Sequence, residues 1–194
     1  MALAQIRETV SVADYLDGEE VAAERHEYLA GEVHAMSGAS ARHNLICGNL
    51  FAALDRAAAL QRHLAGGPCR VFMADLKVRL SVNEEDFFYY PDIMVACNPA
   101  DQASHFRTQP SVLVEVMSPS TERIDRREKL FAYRTLDSLR EYVLIGQDNP
   151  EVVAYVRTEN QWSTQRPQPD DVLTLPSLEF SLPVAELYRG TEGL

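Results

Sequence analysis

The run of residues 112–117, Val-Leu-Val-Glu-Val-Met, constrains the fold of this chain most strongly. It is short, apolar and rich in β-branched residues, which predicts a buried central strand. Because alternate side chains of a strand point to opposite faces, Glu115 shares a face with Leu113 and Met117. A carboxylate there needs a cation, hydrogen-bond donors or a proton, since burying an unpaired charge is costly. Glu115 is therefore the first candidate for a functional residue.

Length and composition indicate one globular domain. The 194 residues are 46% hydrophobic and 24% charged, which fits a single domain over 1–194 with its core at about 24–158. The formal net charge of −11 opposes non-specific attraction to nucleic acid, which depends on Lys and Arg neutralising phosphates. A local basic site, or a site bridged by a cation, remains compatible with that charge.

Cysteine usage and the N-terminal sequence bear on location. Cys47, Cys69 and Cys97 are odd in number and far apart, with no CxxC pair, so we predict buried free thiols rather than a zinc knuckle or a disulfide framework. The N-terminus lacks a basic segment followed by a long apolar one, and no apolar run approaches about 18 residues. We therefore expect no signal peptide, no membrane span and a reducing cytoplasm.

Local patterns predict a mixed α/β (α+β) chain. Capping residues and helical periodicity predict helices over 12–23, 43–60 and 125–136, and a short one near Ala185. Apolar alternation or short apolar runs predict strands or hairpins over 27–36, 70–80, 87–97, 112–117, 141–145 and 151–166. The strand of Glu115, the next helix and the strand 141–145 predict a crossover between parallel strands. Gly48 inside the second helix suggests close packing there.

Two carboxylates and a lysine could together hold a metal ion and support chemistry on a phosphodiester. Asp92 follows Pro91 at the start of a predicted strand, 23 positions before Glu115 (115 − 92). If the two strands are neighbours, the carboxylates can meet, and carboxylate oxygens plus water commonly hold Mg²⁺. Such an ion polarises a phosphodiester and lowers the pKa of bound water. Lys129, 14 positions beyond Glu115 (129 − 115), could stabilise developing charge or orient the attacking water.

Several short motifs carry a resemblance that covers about residues 8–180. They are Arg25-His26-Glu27-Tyr28-Leu29 with Gly31-Glu32, Arg42-His43-Asn44, Tyr90-Pro91-Asp92, Val114-Glu115-Val116 with Ser118-Pro119-Ser120-Thr121, Asp125 to Lys129, and Arg140-Glu141-Tyr142. Together they resemble the PD-(D/E)XK nuclease superfamily, and within it a large bacterial family of uncharacterised restriction-endonuclease-like proteins.

The resemblance implies a fold, a cofactor and a partner. The fold would be restriction-endonuclease-like, with a central mixed β-sheet flanked by helices and an N-terminal helix and hairpin. The site would cleave DNA with Mg²⁺ or Mn²⁺ held by Asp92 and Glu115. A homodimer is also implied, because related nucleases cut two strands with two sites.

The chain departs from the signature at two places. The signature lysine should stand two residues after the glutamate, where this chain has Met117. The resembling family places its lysine on the next helix, which implies Lys129. Many nucleases of this fold also use an acidic residue from an early helix. The second predicted helix offers only Asp55, far along it, so we expect Glu32 or His43 in that role.

Two other interpretations stay open. Met117 and the net charge of −11 favour a catalytically silent member of the fold that binds a nucleic-acid or protein partner. Alternatively, Glu115 forms a purely structural buried ion pair with Lys129 or an arginine. If DNA is the partner, the candidates for a confined basic strip are Arg42, Arg123, Arg126 and Arg127.

Overall fold

The computed structural model describes residues 9–119, 121–159 and 161–194, apart from the side chains of residues 64 and 65. The six-stranded sheet contains β3 (Arg70–Met73), β6 (Ile93–Ala96), β8 (Pro110–Met117), β9 (Glu141–Gly146), β10 (Val152–Thr158) and β11 (Gln161–Gln165). The five-stranded sheet contains β1 (His26–Leu29), β2 (Glu32–Ala35), β4 (Lys77–Val82), β5 (Glu85–Tyr89) and β7 (Phe106–Arg107). A separate hairpin pairs β12 (Val172–Leu175) with β13 (Phe180–Pro183).

Helices occupy four regions of the described chain. They are α1 (Val12–Val21), α2 (Ala41–Ala65), the consecutive segments α3 (Glu122–Ile124), a π-helical turn (Asp125–Lys129) and α4 (Leu130–Tyr133), and α5 (Val184–Leu187). A 3₁₀ turn covers Pro176–Leu178. No helix among the described residues combines the length and apolarity that crossing a membrane requires.

The predicted central strand and its parallel crossover are confirmed. The six strands run in the order β11-β10-β9-β8-β6-β3, which places β8 in the interior of the sheet. β8 pairs in parallel with β9 and antiparallel with β6. The parallel pair is joined through the helical segments 122–133, as a βαβ crossover requires. The sheet is therefore mixed, as predicted.

The two faces of β8 pack against different layers, as its alternation predicts. Val112, Val114 and Val116 join a core formed with α2, whose inward side chains Ile46, Leu50 and Leu54 are almost fully buried. Leu113 and Met117 join a second core. In that core α4 contributes Tyr133 and the five-stranded sheet contributes Tyr89. Glu115 lies on this second face and is 4% exposed, so its carboxylate is buried between the two sheets' shared core and the helical segments after β8.

The segment predicted as one strand interrupted at Pro91 is two strands in different sheets. β5 ends at Tyr89 in the five-stranded sheet, and β6 begins at Ile93 in the six-stranded one. Proline cannot donate a ladder hydrogen bond, so a strand break at Pro91 is expected. Asp92 therefore lies where the chain passes from one sheet to the other.

Two local predictions about helices need correction. The helix predicted to begin at Asp125 begins at Glu122, because Ser118 already accepts backbone hydrogen bonds from the Thr121 and Glu122 amides. Asp125 is consequently buried inside the helix instead of capping it. In α2, a Cβ added at Gly48 would meet nothing within 4 Å, so the suggested close packing at Gly48 is wrong.

The expectation of three free thiols is also wrong. Cys69 and Cys97 form a disulfide, and Cys47 is the free, buried cysteine. The two bonded cysteines are 28 positions apart in sequence, but antiparallel pairing of β3 with β6 matches Arg70 with Ala96. The next pair in that register is Cys69 and Cys97. The distance along the chain therefore concealed their proximity.

Candidate active site

Lys129 is the centre of a buried cluster of carboxylates. Its Nζ lies 3.0 Å from Glu27 Oε1, 3.2 Å from Glu115 Oε1 and 3.5 Å from Asp125 Oδ1. Lys129 is 6% exposed, Glu115 4% and Asp125 2%. The Tyr133 hydroxyl donates a second hydrogen bond of 2.8 Å to Glu115 Oε1. Three carboxylates from three different elements thus converge on one ammonium group.

Local helix geometry explains why these side chains meet. Asp125, Lys129 and Tyr133 are spaced four residues apart, so on a helix they follow one face. The π-helical turn at Asp125–Lys129 gives way to α4 at Leu130. Single π turns of this kind are frequent at functional sites. Glu27 reaches the same face from β1, which pairs with β5 in the five-stranded sheet.

Asp92 is held at the start of β6 by contacts from two other elements. The Val116 backbone N–H of β8 donates a 2.6 Å hydrogen bond to Asp92 Oδ2. His43 Nε2, from the first turn of α2, lies 3.2 Å from the same oxygen. The other ring nitrogen of His43, Nδ1, lies 3.5 Å from Cys47 Sγ. The Asp92 carboxylate is therefore fixed in orientation while remaining partly accessible to solvent.

Sheet register places Asp92 near Glu115. Ile93 pairs with Val114 in the antiparallel ladder of β6 and β8. The paired region ends there, and Asp92 directly precedes Ile93 as Glu115 directly follows Val114. Their charges interact, because the negative charge of Asp92 contributes to raising the pKa of Glu115. Asp92 and Glu115 are therefore near enough for their charges to interact, while a metal site shared by Asp92 and Glu115 beside Lys129 stays a prediction.

Burial and mutual repulsion perturb the ionisation of the cluster. Burial raises the pKa of Glu115 well above its usual range, and nearby carboxylates add to the effect against the opposing charge of Lys129. The pKa of Asp125 is also raised, again chiefly by burial. Burial lowers the pKa of Lys129, but Glu115, Glu27 and Asp125 outweigh it and raise the pKa well above its usual range. Three ionised carboxylates would carry more negative charge than one lysine balances, and the raised pKa values of Glu115 and Asp125 favour their protonated forms.

The type of donor atom in this cluster fits a divalent cation, whose charge would favour the ionised carboxylates. Carboxylate oxygens are the ligands that Mg²⁺ and Mn²⁺ prefer. Among the described residues, the hydrogen bonds to the Glu115 side chain go to Oε1. This leaves Oε2 for a ligand. Burial is the main cause of the raised pKa of Glu115, and a cation shared by Glu115 and Asp92 would offset both burial and the smaller effect of the Asp92 charge.

His43 and Glu32, the two residues expected in place of an early acidic residue, lie in different surroundings. His43 contacts Asp92 directly. Glu32 lies on the edge strand β2 with a side chain that is 43% exposed, where it pairs with His34 at 3.5 Å. The early acidic residue that contacts Lys129 is Glu27, on the neighbouring strand of the same hairpin.

The suggested basic strip is largely paired within the protein. Arg126 bonds Glu122 at 2.8 Å and Glu151 at 2.6 Å, and Arg123 lies 3.8 Å from Glu128. Arg42 donates to the backbone oxygens of Thr191 and Leu194. Arg127 is exposed. These arginines therefore offer less free positive charge than their number suggests.

Sequence reasoning missed three residues of the cluster. Glu27 belongs to one of the motifs quoted above but has no predicted role, and the capping pattern places Asp125 at the start of a helix. Tyr133 carried no signal of its own. Asp125, Lys129 and Tyr133 follow one another at intervals of four residues. This spacing could have indicated that these three side chains share the helix face turned to Glu115.

Comparison with known proteins shows the fold and the family. A crystal structure titled as "a putative nuclease belonging to DUF820" from Anabaena variabilis ATCC 29413 matches with a TM-score of 0.72 at 18% identity, over 92% of this chain and 97% of that one. This likeness confirms the predicted mixed α/β fold.

Two relatives from Synechocystis sp. (strain ATCC 27184 / PCC 6803 / Kazusa) match at the level of sequence. "Uncharacterized protein slr1290" is 36% identical over 183 residues, 93% of this chain and 92% of the relative. "Uncharacterized protein sll1609" is 33% identical over 157 residues, which are 79% of this chain and 84% of the relative. The family model described as "Uma2: Putative restriction endonuclease" matches residues 12–185, and this chain therefore belongs to the Uma2 family of restriction-endonuclease-like proteins.

Proposed function

We propose that the protein is a Mg²⁺-dependent DNA endonuclease that hydrolyses phosphodiester bonds. The observation that carries the proposal is the pairing of Glu115 with Lys129 at 3.2 Å, with Asp92 near Glu115 at the start of the neighbouring strand. Two carboxylates from adjacent strands and a nearby ammonium group are the parts that metal-assisted phosphodiester hydrolysis needs.

Each residue has a distinct role in this proposal. Mg²⁺ or Mn²⁺, held by Asp92 and Glu115, would polarise the phosphodiester and lower the pKa of bound water. Lys129 and Tyr133 hold Glu115 through Oε1, which keeps the other oxygen directed for binding. The Val116 amide and His43 hold Asp92. Lys129 would orient the attacking water and stabilise the charge that develops on the phosphate.

The position of Lys129 bears on whether the protein is catalytically silent. Met117, which stands where the signature has lysine, is buried in the core beside α4. Lys129 instead brings an ammonium to the same carboxylate from the crossover helix. A lysine from a different element can supply the same charge at the same place, so Met117 does not argue against activity.

The expected partner is DNA, and the expected assembly is a homodimer. A net charge of −11 means that DNA binding should depend on the divalent cation, since few arginines near the site are free of intramolecular partners. A dimer would place two sites on one duplex, one for each strand. Loss of DNA binding on adding EDTA is the expected result.

Cleavage assays test the proposal directly. Supercoiled, linear, nicked and single-stranded DNA are incubated with Mg²⁺ or Mn²⁺, using wild type and Asp92→Ala. We expect metal-dependent cleavage by wild type and a loss of at least about 100-fold in the variant, as for removal of a group that stabilises a transition state. Asp137→Ala is the matched control, because its side chain is fully exposed, and it should cleave like wild type.

The alternative is a silent member of the fold that binds a partner. Its supporting observation is that Lys129 is buried and paired with Glu27, Glu115 and Asp125, so this cluster stabilises the fold without any catalysis. The absence of cleavage with both metals on every DNA form, together with metal-dependent DNA binding, would favour it over the endonuclease.

A further inference from the structure

A second set of donor atoms surrounds Asp92 on the side of α2. His43 and Cys47 lie one turn apart on this helix. One nitrogen of His43, the sulfur of Cys47 and one oxygen of Asp92 all lie within 4.8 Å of one another. His43 is mostly buried and Cys47 is buried. A nitrogen, a sulfur and a carboxylate oxygen thus meet at one point, supplied by two elements of the fold.

The chemistry of these donors differs from that of the Asp92 and Glu115 pair. Mg²⁺ takes oxygen ligands and seldom imidazole or sulfur. Imidazole suits Zn²⁺, Co²⁺ and other first-row transition ions, and a thiolate narrows the preference towards Zn²⁺ and its close analogues. The cluster therefore has a different expected selectivity from the oxygen-donor site beside it.

The spacing of the donors also suits a shared ion. Ligands about 2.0–2.3 Å from a tetrahedral centre lie about 3.3–3.6 Å from one another. The Asp92 oxygen is 3.2 Å from His43 Nε2, and the Cys47 sulfur is 3.5 Å from His43 Nδ1. Because one ion binds one ring nitrogen, only one of these two contacts belongs to a shared ion. The third donor lies within 4.8 Å of the others and would approach by rotation of a side chain.

We propose that His43, Cys47 and Asp92 form a subsite for a borderline divalent transition ion of the Zn²⁺ and Co²⁺ class. This inference rests on the proposed function in that Asp92 would be a ligand of both the Mg²⁺ site and this subsite. A transition ion in the subsite would compete with Mg²⁺ for Asp92. Without an ion, the same atoms form a hydrogen-bond chain from the Cys47 thiol through His43 to Asp92.

Cobalt spectroscopy of the intact protein tests the subsite without any activity assay. Co²⁺ is added to metal-free wild type, and the near-ultraviolet absorption of a cobalt–thiolate bond is recorded with the visible bands of tetrahedral Co²⁺. We expect both signals at one equivalent, and their loss on adding Zn²⁺. Since Cys69 and Cys97 are in a disulfide, the thiolate signal should come from Cys47.

Variants identify the ligands. Cys47→Ser and His43→Ala should abolish the cobalt–thiolate signal or weaken Zn²⁺ binding by more than about 10-fold, the lower range for losing even an outer-sphere partner. The double variant Cys69→Ser/Cys97→Ser is the matched control and should keep the signal. A wild-type spectrum without a cobalt–thiolate band overturns the subsite even if the variants fail to fold, as does an unchanged band in Cys47→Ser.

The two proposals fail separately. A cobalt–thiolate band without DNA cleavage in Mg²⁺ or Mn²⁺ supports the subsite and contradicts the endonuclease. Cleavage that depends on Asp92, combined with cobalt spectra that contain no thiolate band, supports the endonuclease and overturns the subsite.

Discussion

At the scale of single residues, Lys129 is the group on which the cluster depends. It is a buried ammonium whose three closest charged contacts are carboxylates. Breaking a buried ion pair by removing one partner is strongly destabilising, because the other charge stays buried without compensation. Lys129 therefore has a structural role besides the catalytic role proposed for it, and measurements must separate the two.

Replacing Lys129 with methionine should separate these roles. We expect Lys129→Met to lower the free energy of unfolding by about 3–5 kcal/mol, measured by urea titration without divalent ions. Arg123→Met is the control, because the pair of Arg123 and Glu128 is exposed and should contribute less than about 1 kcal/mol.

Adding Glu115→Gln to Lys129→Met should restore part of that stability by removing one uncompensated charge. The double variant should nevertheless remain inactive. A Lys129→Met protein that is as stable and as active as wild type would contradict both roles.

The early acidic residue can be identified by comparing Glu27 with Glu32. Glu27→Gln removes a carboxylate 3.0 Å from Lys129, whereas Glu32→Gln changes a half-exposed residue of the edge strand. We expect Glu27→Gln to reduce the rate of DNA cleavage by about 10-fold or more and Glu32→Gln to leave it within about two-fold of wild type. The reverse order would show that Glu32 has the role expected from the sequence.

At the scale of secondary-structure elements, the site depends on one strand ladder and one irregular helix. The β6 and β8 register brings Asp92 near Glu115, and the helical segments after β8 bring Asp125, Lys129 and Tyr133 to the same face. The hairpin of β1 and β2 adds Glu27. Its tight turn at Ala30 and Gly31 has positive φ values at both positions, as a type I′ turn requires.

Two glycine substitutions test this local account with opposite expected signs. Gly31 has φ +94°, and an added Cβ would meet Thr9 at 2.7 Å, so Gly31→Ala should destabilise by more than about 1 kcal/mol. Gly48 lies in the interior of α2 with open space beside it, so Gly48→Ala should stabilise by about 0.5–1 kcal/mol. Thermal or urea unfolding measures both, and equal effects of the same sign would contradict the structure.

At the scale of the whole molecule, stability should depend on pH and on divalent ions together. Burial raises the pKa values of Glu115 and Asp125. Burial lowers the pKa of His43, but Asp92 outweighs this effect and raises it. A group whose pKa is higher in the folded than in the unfolded protein stabilises the fold fully at a pH below its unfolded-state pKa. That stabilisation is lost as the pH rises through its folded-state pKa. All three groups therefore favour the folded state at mildly acidic pH.

Thermal unfolding at two pH values measures this dependence. In EDTA we expect a higher Tm near about pH 5.5 than near about pH 8. Each kcal/mol of difference in the free energy of unfolding should change Tm by about 2–4 °C. Saturating Mg²⁺ should raise Tm more at the higher pH, where the carboxylates are ionised. Glu115→Gln should reduce the pH dependence. A Tm in EDTA that rises from acidic to alkaline pH, with no response to Mg²⁺, would contradict this charge balance.

The sequence predicted those parts of the site that follow from local alternation and spacing. The face of Glu115 depends on alternation within one strand. The parallel partner of β8 and the position of Asp92 depend on pairing of β8 with the strands predicted immediately after and before it. Glu27 and the Cys69–Cys97 disulfide depend on strand pairing between distant segments, which no local pattern specifies. The inward position of Asp125 depends on where the helix begins, and helix boundaries are the least predictable feature of a sequence.

The central claim is that Asp92 and Glu115 share a divalent ion beside Lys129, and crystals soaked in Mn²⁺ test it most directly. The account predicts an anomalous difference peak about 2.0–2.4 Å from a carboxylate oxygen of Asp92 and from one of Glu115. A peak absent from this position, or carboxylate oxygens too far apart to share one ion, would contradict it.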